Sequence, residues 1–215
     1  MTDALVIAVD GPSGVGKSSV SRRVANHFDL DHLDTGALYR AATLAVLESG
    51  VPRDDHRAVT EVVEAVEVDQ DDGATTLDGE DVSRVIRSEA VTSAVSEVSA
   101  IPEVRSVLVE MQRRWVAERG QRAVVEGRDI GSVVFPDAAL KVYLTADPDE
   151  RARRRSGEAG TDHGTTREAI ERRDAYDSSR AVSPLTVADG AIVIDTTALT
   201  PPEVVDRATA EASLA

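Results

Sequence analysis

The sequence predicts an α/β fold in which a parallel, doubly wound sheet carries a small antiparallel insert, and three features lead to that expectation. Apolar, β-branched segments recur along the chain, each running into a loop and then a helical pattern. A glycine-rich loop stands between the first such segment and the first helix. From Pro52 to Glu89 a polar stretch interrupts the alternation with short extended segments and two Asp-Gly turns.

Taken in order, Ala4 to Val9 is apolar and bounded by Asp3 and Asp10, which suits a strand buried on both faces. A helix follows through Phe28, then a short segment His32-Leu33-Asp34 and a helix over about Gly36 to Leu47. The polar stretch shows no strong helical period, and Ala65 to Val68, Ala74 to Leu77 and Val82 to Ile86 read as its strands. Helices are expected over about Ser88 to Ser99 and Pro102 to Glu118, the second opening with proline in its first turn. The sheet resumes with Arg122 to Glu126, Ala139 to Leu144 and Ala191 to Asp195. Asp147-Pro148-Asp149-Glu150 starts a helix carrying Arg151, Arg153, Arg154 and Arg155, and Ser156 to Thr166 reads as a glycine-containing hinge loop, together a lid.

At 215 residues and 41% hydrophobic content the chain can bury one substantial core, so a single domain is expected. Cysteine is absent, which excludes disulfides, thiolate catalysis and Cys-built metal sites. The strand before the loop is far too short to span a membrane and no basic leader precedes it, so a cytoplasmic protein without membrane attachment is expected. A formal charge of −15 argues against a nucleic-acid polymer as partner. Of the 24 basic residues only Lys17 and Lys141 are lysine, and the rest are arginine, the side chain suited to forked phosphate recognition.

Residues Gly11-Pro12-Ser13-Gly14-Val15-Gly16-Lys17-Ser18, followed by Ser19, form a phosphate-binding loop between strand and helix. Its backbone N–H groups converge on a β-phosphate, reinforced by the positive end of the helix. Lys17 is expected to bridge the β- and γ-phosphates of ATP, and the Ser18 hydroxyl to ligate Mg²⁺. Ligands of such sheets bind beyond the carboxyl ends of the strands, which directs attention to the loops after Val9, Leu33, Glu126, Leu144 and Asp195.

Phosphoryl transfer between two anions needs further cations, and four places offer them. Asp34-Thr35-Gly36-Ala37-Leu38-Tyr39-Arg40 opens a helix with polar caps, Tyr39 serving as core or as stacking platform. Gly127-Arg128-Asp129-Ile130-Gly131 places a charged pair between glycines at a strand mouth. There Arg128 can grip a phosphate and Asp129 can accept from the exocyclic amine that separates cytosine from uracil. Glu126 is either an orienter of Mg²⁺ through water or a solvated strand end. Arg173 and Asp177 stand four apart on one helical face, near Arg172 and Arg180, and the lid helix adds its own arginines.

Four segments in this order resemble bacterial-type cytidylate kinases across nearly the whole chain: Asp10 to Ser18, Leu33 to Arg40, Val125 to Pro136 and Arg180 to Leu185. The resemblance implies a P-loop nucleoside monophosphate kinase fold with a five-stranded parallel sheet flanked by helices, a small antiparallel β insert and a helical lid. It implies one kinase domain over 1–215, with a core of 1–50 and 100–215, an acceptor-binding insert of about 52–99 and a lid of about 150–170. The activity implied is ATP-dependent, Mg²⁺-assisted phosphorylation of CMP and dCMP by a monomer. Thr35, Arg40, Arg128 and Arg180 are then the groups around the CMP phosphate, with Tyr39 beside the nucleotide; Ser96, Arg105 and Asp129 read cytosine, and Arg173 with Asp177 contacts the sugar. Lys17, Arg128, Arg154 and Arg180 become the catalytic cations, with Arg154 neutralising the group in transfer. Thr35 stands where relatives often have serine, and Glu126 where aspartate is common.

Other readings are a kinase for another small acceptor such as UMP, AMP, shikimate or dephospho-coenzyme A, a GTPase-like switch, and an ATP-binding module without catalysis. Against the switch, no Asp-x-x-Gly occurs, and the only asparagine, Asn26, precedes His27 rather than a lysine. His27, His32, His56 and His163 lack metal-site spacing and receive no role, and Trp115 reads as core.

Overall fold

The computed structural model describes residues 4–178 and 185–212. Two compact units divide the chain, one from the N-terminus to His32 together with Arg119 onward, the other Leu33–Glu118.

The first unit holds the main sheet. Strand β1 (Leu5–Asp10) pairs in parallel with β6 (Arg122–Gly127) on one side and β7 (Leu140–Thr145) on the other, and β7 pairs in parallel with β8 (Ile192–Asp195). With β2 (Asp31–Asp34) the order is β2-β6-β1-β7-β8, so the strand that feeds the glycine-rich loop is central. Because the strands run the same way, the loops that follow β1, β6, β7 and β8 collect at one edge, where ligands of doubly wound sheets sit. Ile7, Val9, Val124, Leu144 and Ile194 on the strands meet Val20 and Val24 of α1 (Lys17–Phe28) and Val204 and Ala208 of α8 (Pro201–Ala212). Val15, 1% exposed, plugs into the same core and so pins the middle of the loop from beneath.

Helices α6 (Pro148–Ala159) and α7 (His163–Ser178) pack against each other where a glycine-rich hinge loop over Ser156 to Thr166 is expected from sequence. The difference has a local cause. Helix α6 runs on until Gly160, whose φ of +66° ends it in the left-handed conformation that glycine adopts without strain. Two residues later the Asp162 carboxylate accepts from the Thr165 N–H at 2.9 Å, a helix-starting cap, so only a tight turn separates the helices.

The second unit is built around α2 (Thr35–Ser49), apolar on nearly every side. Ala37, Ala41 and Leu44 face the insert strands and the segment after them, while Ala42 and Val46 face Val59 and Val63 of α3 (His56–Ala65), Val98 of α4 (Glu89–Val98) and Val104 and Leu108 of α5 (Pro102–Glu118). Helix α3 (His56–Ala65) falls in the stretch that reads as lacking helical period: only Val59 and Val63 are buried on it, too narrow a stripe to stand out, and its start is fixed by Asp55 accepting from Ala58 N–H. Helices α4 (Glu89–Val98) and α5 (Pro102–Glu118) lie where the sequence puts them.

Of the three insert strands, β4 (Ala74–Leu77) matches expectation. The first lies at Val68–Asp71 (β3), not at Ala65 to Val68, because the two-residue turn Asp72-Gly73, both at positive φ, forces Asp71 to pair with Ala74. The third is only Glu80–Asp81 (β5); Val82 to Ile86 is not a strand, since Val82 and Ile86 turn into the α2 core and Val85–Arg87 forms a short 3-10 turn. Among the described residues no helix is long and apolar enough to cross a membrane.

Candidate active site

The glycine-rich loop is held open by close packing and closed on itself by its lysine. Gly11 has φ +150°, and a Cβ there would run into the carbonyl oxygen of Leu144 on the neighbouring strand, so no side chain fits. The Lys17 ammonium donates to the Gly11 and Pro12 carbonyls at 2.8 and 2.9 Å, placing its charge across the curl of the loop. Gly16 precedes α1, so the helix's N-terminal N–H groups face the same place. At the loop tip the Ser13 N–H donates to Asp174 of α7 at 3.3 Å and the Ser13 carbonyl accepts from Arg151 of α6 at 3.2 Å. Arg151 and Asp174 also form an ion pair with each other. Ser19, exposed on the first turn of α1, accepts from Arg23 through its carbonyl.

Beside the loop, the Ser18 hydroxyl donates to Glu126 Oε2 at 3.0 Å, and Glu126 Oε1 meets His32 Nε2 at 3.0 Å. Glu126 is 2% exposed, which settles the alternative left by the sequence: it is a buried strand end tied to the loop, not a solvated one. One hydroxyl and one carboxylate make an all-oxygen pair that fits Mg²⁺, which binds few protein groups and completes its shell with phosphate oxygens and water. His32 and Glu126 reach this site from different strands, a juxtaposition that residue spacing does not reveal.

Asp10 ends β1 buried beneath the next loop. Its two carboxylate oxygens accept from the Ile130 and Gly131 N–H groups at 2.9 and 2.8 Å, anchoring the turn Ile130–Val134 that follows Arg128 and Asp129. Burial pushes its pKa up to about 6, against the two backbone N–H groups, which lower it.

Three residues that the sequence reading places near the acceptor come together here. Arg128 donates through Nε to Asp177 at 3.0 Å and through Nη1 to the Gly11 carbonyl at 3.0 Å, while Arg173 Nε stands 4.0 Å from the same Asp177 oxygen. Asp177 is 1% exposed, so one buried carboxylate positions two arginines beside the phosphate loop. Asp129 is buried beside them, its carbonyl accepting from Val133 and Val134 N–H groups. Arg154, by contrast, is held at the end of β8: it donates to the Thr196 carbonyl at 2.7 Å, to the Thr196 hydroxyl at 3.0 Å and to Glu150 at 2.8 Å. Hydrogen bonds from Arg153 and then Arg154 hold the Glu150 carboxyl down to about 2. The lid arginine that touches the phosphate loop is Arg151. Arg180 lies outside the described residues.

Within the second unit, Thr35 opens α2 buried, after Asp34, whose carboxylate caps the helix by accepting from Ala37 N–H at 3.2 Å. One turn on, Arg40 is buried and donates to the Ile86 carbonyl at 3.1 Å and the Thr92 hydroxyl at 2.9 Å. Arg105 of α5 lies over the Tyr39 ring, 5.4 Å from its centroid, and donates to the Ser99 carbonyl at 3.3 Å. Tyr39 therefore packs against the helical core with the Arg105 guanidinium over its ring. Ser96 is half-buried on α4, which ends at the turn that Arg105 binds.

The family model described as cytidylate kinase matches residues 7–214. The chain belongs to the cytidylate kinase family. Its relatives include the cytidylate kinase of Mycobacterium leprae (strain Br4923), 50% identical over 210 residues that cover 95% of this chain and 93% of that protein. That of Nocardia farcinica (strain IFM 10152) is 50% identical over 212 residues, covering 94% and 91%. Among solved structures, a sugar kinase from Janibacter sp. HTCC2649 matches with a TM-score of 0.52 at 14% identity, covering 99% of this chain and 96% of that one, a likeness of fold alone. The Asp10, Glu126 and Asp177 contacts thus belong to a cytidylate kinase, clustered around its glycine-rich loop.

Of these residues, the sequence reading gives His32 no role, does not single out Asp174, and takes Asp10 as a strand flank and the first residue of a family segment. Asp174 stood inside the arginine cluster it balances, and an acid at a strand end was the available sign for Asp10.

Proposed function

We propose that the chain transfers the γ-phosphoryl group of ATP to CMP and dCMP, giving CDP or dCDP and ADP. The family match over residues 7–214 carries this reading. The whole chain then acts as one kinase domain and as a cytoplasmic monomer taking small molecules rather than nucleic acid or membrane, with core 1–50 and 100–215, insert 52–99 and lid 150–170.

An oxygen of the CMP phosphate forms a bond to the γ-phosphorus as the bond to the β,γ-bridging oxygen breaks, and ADP leaves. The acceptor is already ionised, so no side chain need act as a strong base, and positioning with charge stabilisation carries the rate. The backbone from Gly11 to Ser19 cradles the triphosphate, and Lys17 leaves the Gly11 and Pro12 carbonyls for the β- and γ-phosphates. Ser18 and Glu126 would hold Mg²⁺, which would supply charge neutralisation to the bound triphosphate. Thr35, Arg40, Arg128 and Arg180 hold the acceptor phosphate, with Tyr39 beside the nucleotide; Ser96, Arg105 and Asp129 read cytosine, and Arg173 with Asp177 meets the sugar. Arg154 neutralises the moving group once it gives up Thr196 and Glu150. Lid closure over α6 and α7 keeps water from taking the phosphoryl group.

An ADP-release assay with CMP, dCMP, UMP, AMP and shikimate tests the assignment. CMP and dCMP are expected to be the fast acceptors; a faster rate with any of the others overturns it.

A further inference from the structure

We propose that Gln70, a residue of the antiparallel insert, is a positioning residue for the acceptor nucleotide: its side-chain amide clamps the backbone of Asp34 and thereby fixes the first turn of α2. The inference rests on the reading that Thr35 and Arg40 hold the acceptor phosphate. Strand β2 stands at one end of the sheet order, where outward N–H and C=O groups need partners from elsewhere. At Asp34 one side chain supplies both. The Asp34 N–H donates to Gln70 Oε1 at 2.9 Å, and Gln70 Nε2 donates to the Asp34 carbonyl at 2.7 Å. The amide stands in for one residue of a neighbouring strand, a task that needs a donor and an acceptor in one plane.

The clamp is itself held. Gln70 is 4% exposed, its backbone is paired opposite Thr75 in the β3–β4 ladder, and its carbonyl accepts from the Trp115 indole N–H of α5 at 3.1 Å. Trp115 therefore does more than fill the core. Asp34 is also fixed through its side chain, which caps Ala37 N–H and lies 3.7 Å from the Arg87 guanidinium. The next residue is Thr35, 3% exposed and first in α2, so its backbone position follows that of Asp34. Phosphoryl transfer is sensitive to displacements of about 1 Å, which makes this backbone clamp a lever on acceptor binding rather than only on folding.

Steady-state kinetics with CMP and ATP varied separately test the proposal on Gln70→Leu, which removes both partners, Gln70→Glu, which removes the donor, and Gln70→Asn, which is a methylene short. Melting temperatures are measured alongside, with Thr35→Ala and the buried-core variant Val63→Ala for comparison. KM for CMP is expected to rise about tenfold in Gln70→Leu and Gln70→Glu, with KM for ATP within about twofold of wild type. Val63→Ala should melt lower yet keep its KM for CMP. The proposal fails if the Gln70 variants melt lower with KM for CMP within about twofold, or if both KM values rise together. If Gln70→Leu does not fold, Gln70→Asn is judged by the same criteria. Unchanged KM for CMP in Thr35→Ala defeats the acceptor reading; a raised KM there with unmoved Gln70 variants defeats the clamp alone.

Discussion

The Ser18 hydroxyl donates to the Glu126 carboxylate at 3.0 Å, tying the end of the phosphate loop to the carboxyl end of β6. His32 engages the other Glu126 oxygen at 3.0 Å, so the carboxylate is oriented from two sides. Removing a group that holds or orients a bound cation typically costs at least ten- to a hundredfold in metal affinity. In Glu126→Gln the Mg²⁺ concentration for half-maximal activity should rise by about that factor, with a smaller rise in His32→Leu. Mn²⁺ binding to the nucleotide complex, followed by electron paramagnetic resonance, should weaken in parallel; unchanged Mn²⁺ binding would remove Glu126 from the cation site.

Lys17→Ala should lower turnover by about a thousandfold, the scale of losing one preorganised charge at the reacting group. Its ammonium donates to the Gly11 and Pro12 carbonyls, bonds of about 1 kcal/mol net, so the cost in stability should be about 1 kcal/mol. Thermal melting with a kinetic assay checks both halves, and a fully active variant would refute the loop's role.

Asp10 gives the fold a pH dependence whose sign follows from its raised pKa. The folded state holds the proton up to about 6 whereas the unfolded chain releases it near 3.8, so the contribution is fully present below 3.8 and is lost as pH rises through about 6. The difference of about two units corresponds to roughly 3 kcal/mol. Denaturant unfolding of wild type and Asp10→Asn from pH 4 to 6.5 should show the wild-type advantage shrinking by up to that amount. A constant or growing difference would mean that the carboxyl is not raised.

Asp129→Ala should narrow the preference for CMP over UMP by about tenfold or more, since one well-placed base contact is worth about 1–3 kcal/mol of discrimination. The ratio of kcat/KM for the two acceptors measures it. An unaltered ratio moves cytosine reading to other residues.

How much of this was legible before any coordinates depended on how local each signal is. The β-branched runs, the Gly11 to Ser18 loop and the Asp-Gly turns are written in adjacent residues, and they appear where expected as β1, the loop before α1 and the β3–β4 hairpin. Helix α3 was hidden because two buried valines, Val59 and Val63, make a stripe too thin to register. The third insert strand was overread because Val82 and Ile86 are apolar for the sake of the α2 core, not of a sheet. The lid loop is shorter than the sequence suggests because Gly157 lies within α6, which continues to Ala159, and the Asp162 cap starts the next helix at once.

By itself the sequence determined the fold class, the glycine-rich loop and the family, since each is carried by short contiguous patterns whose chemistry is complete within a few residues. Only the tertiary structure decided which distant charges meet: Asp177 between Arg128 and Arg173, Glu126 between Ser18 and His32, Arg151 rather than Arg154 on the loop, and Gln70 on Asp34. Such pairings are set by strand order and helix packing, and the energy of a charge or an amide depends on what burial places beside it, not on its neighbours in the chain.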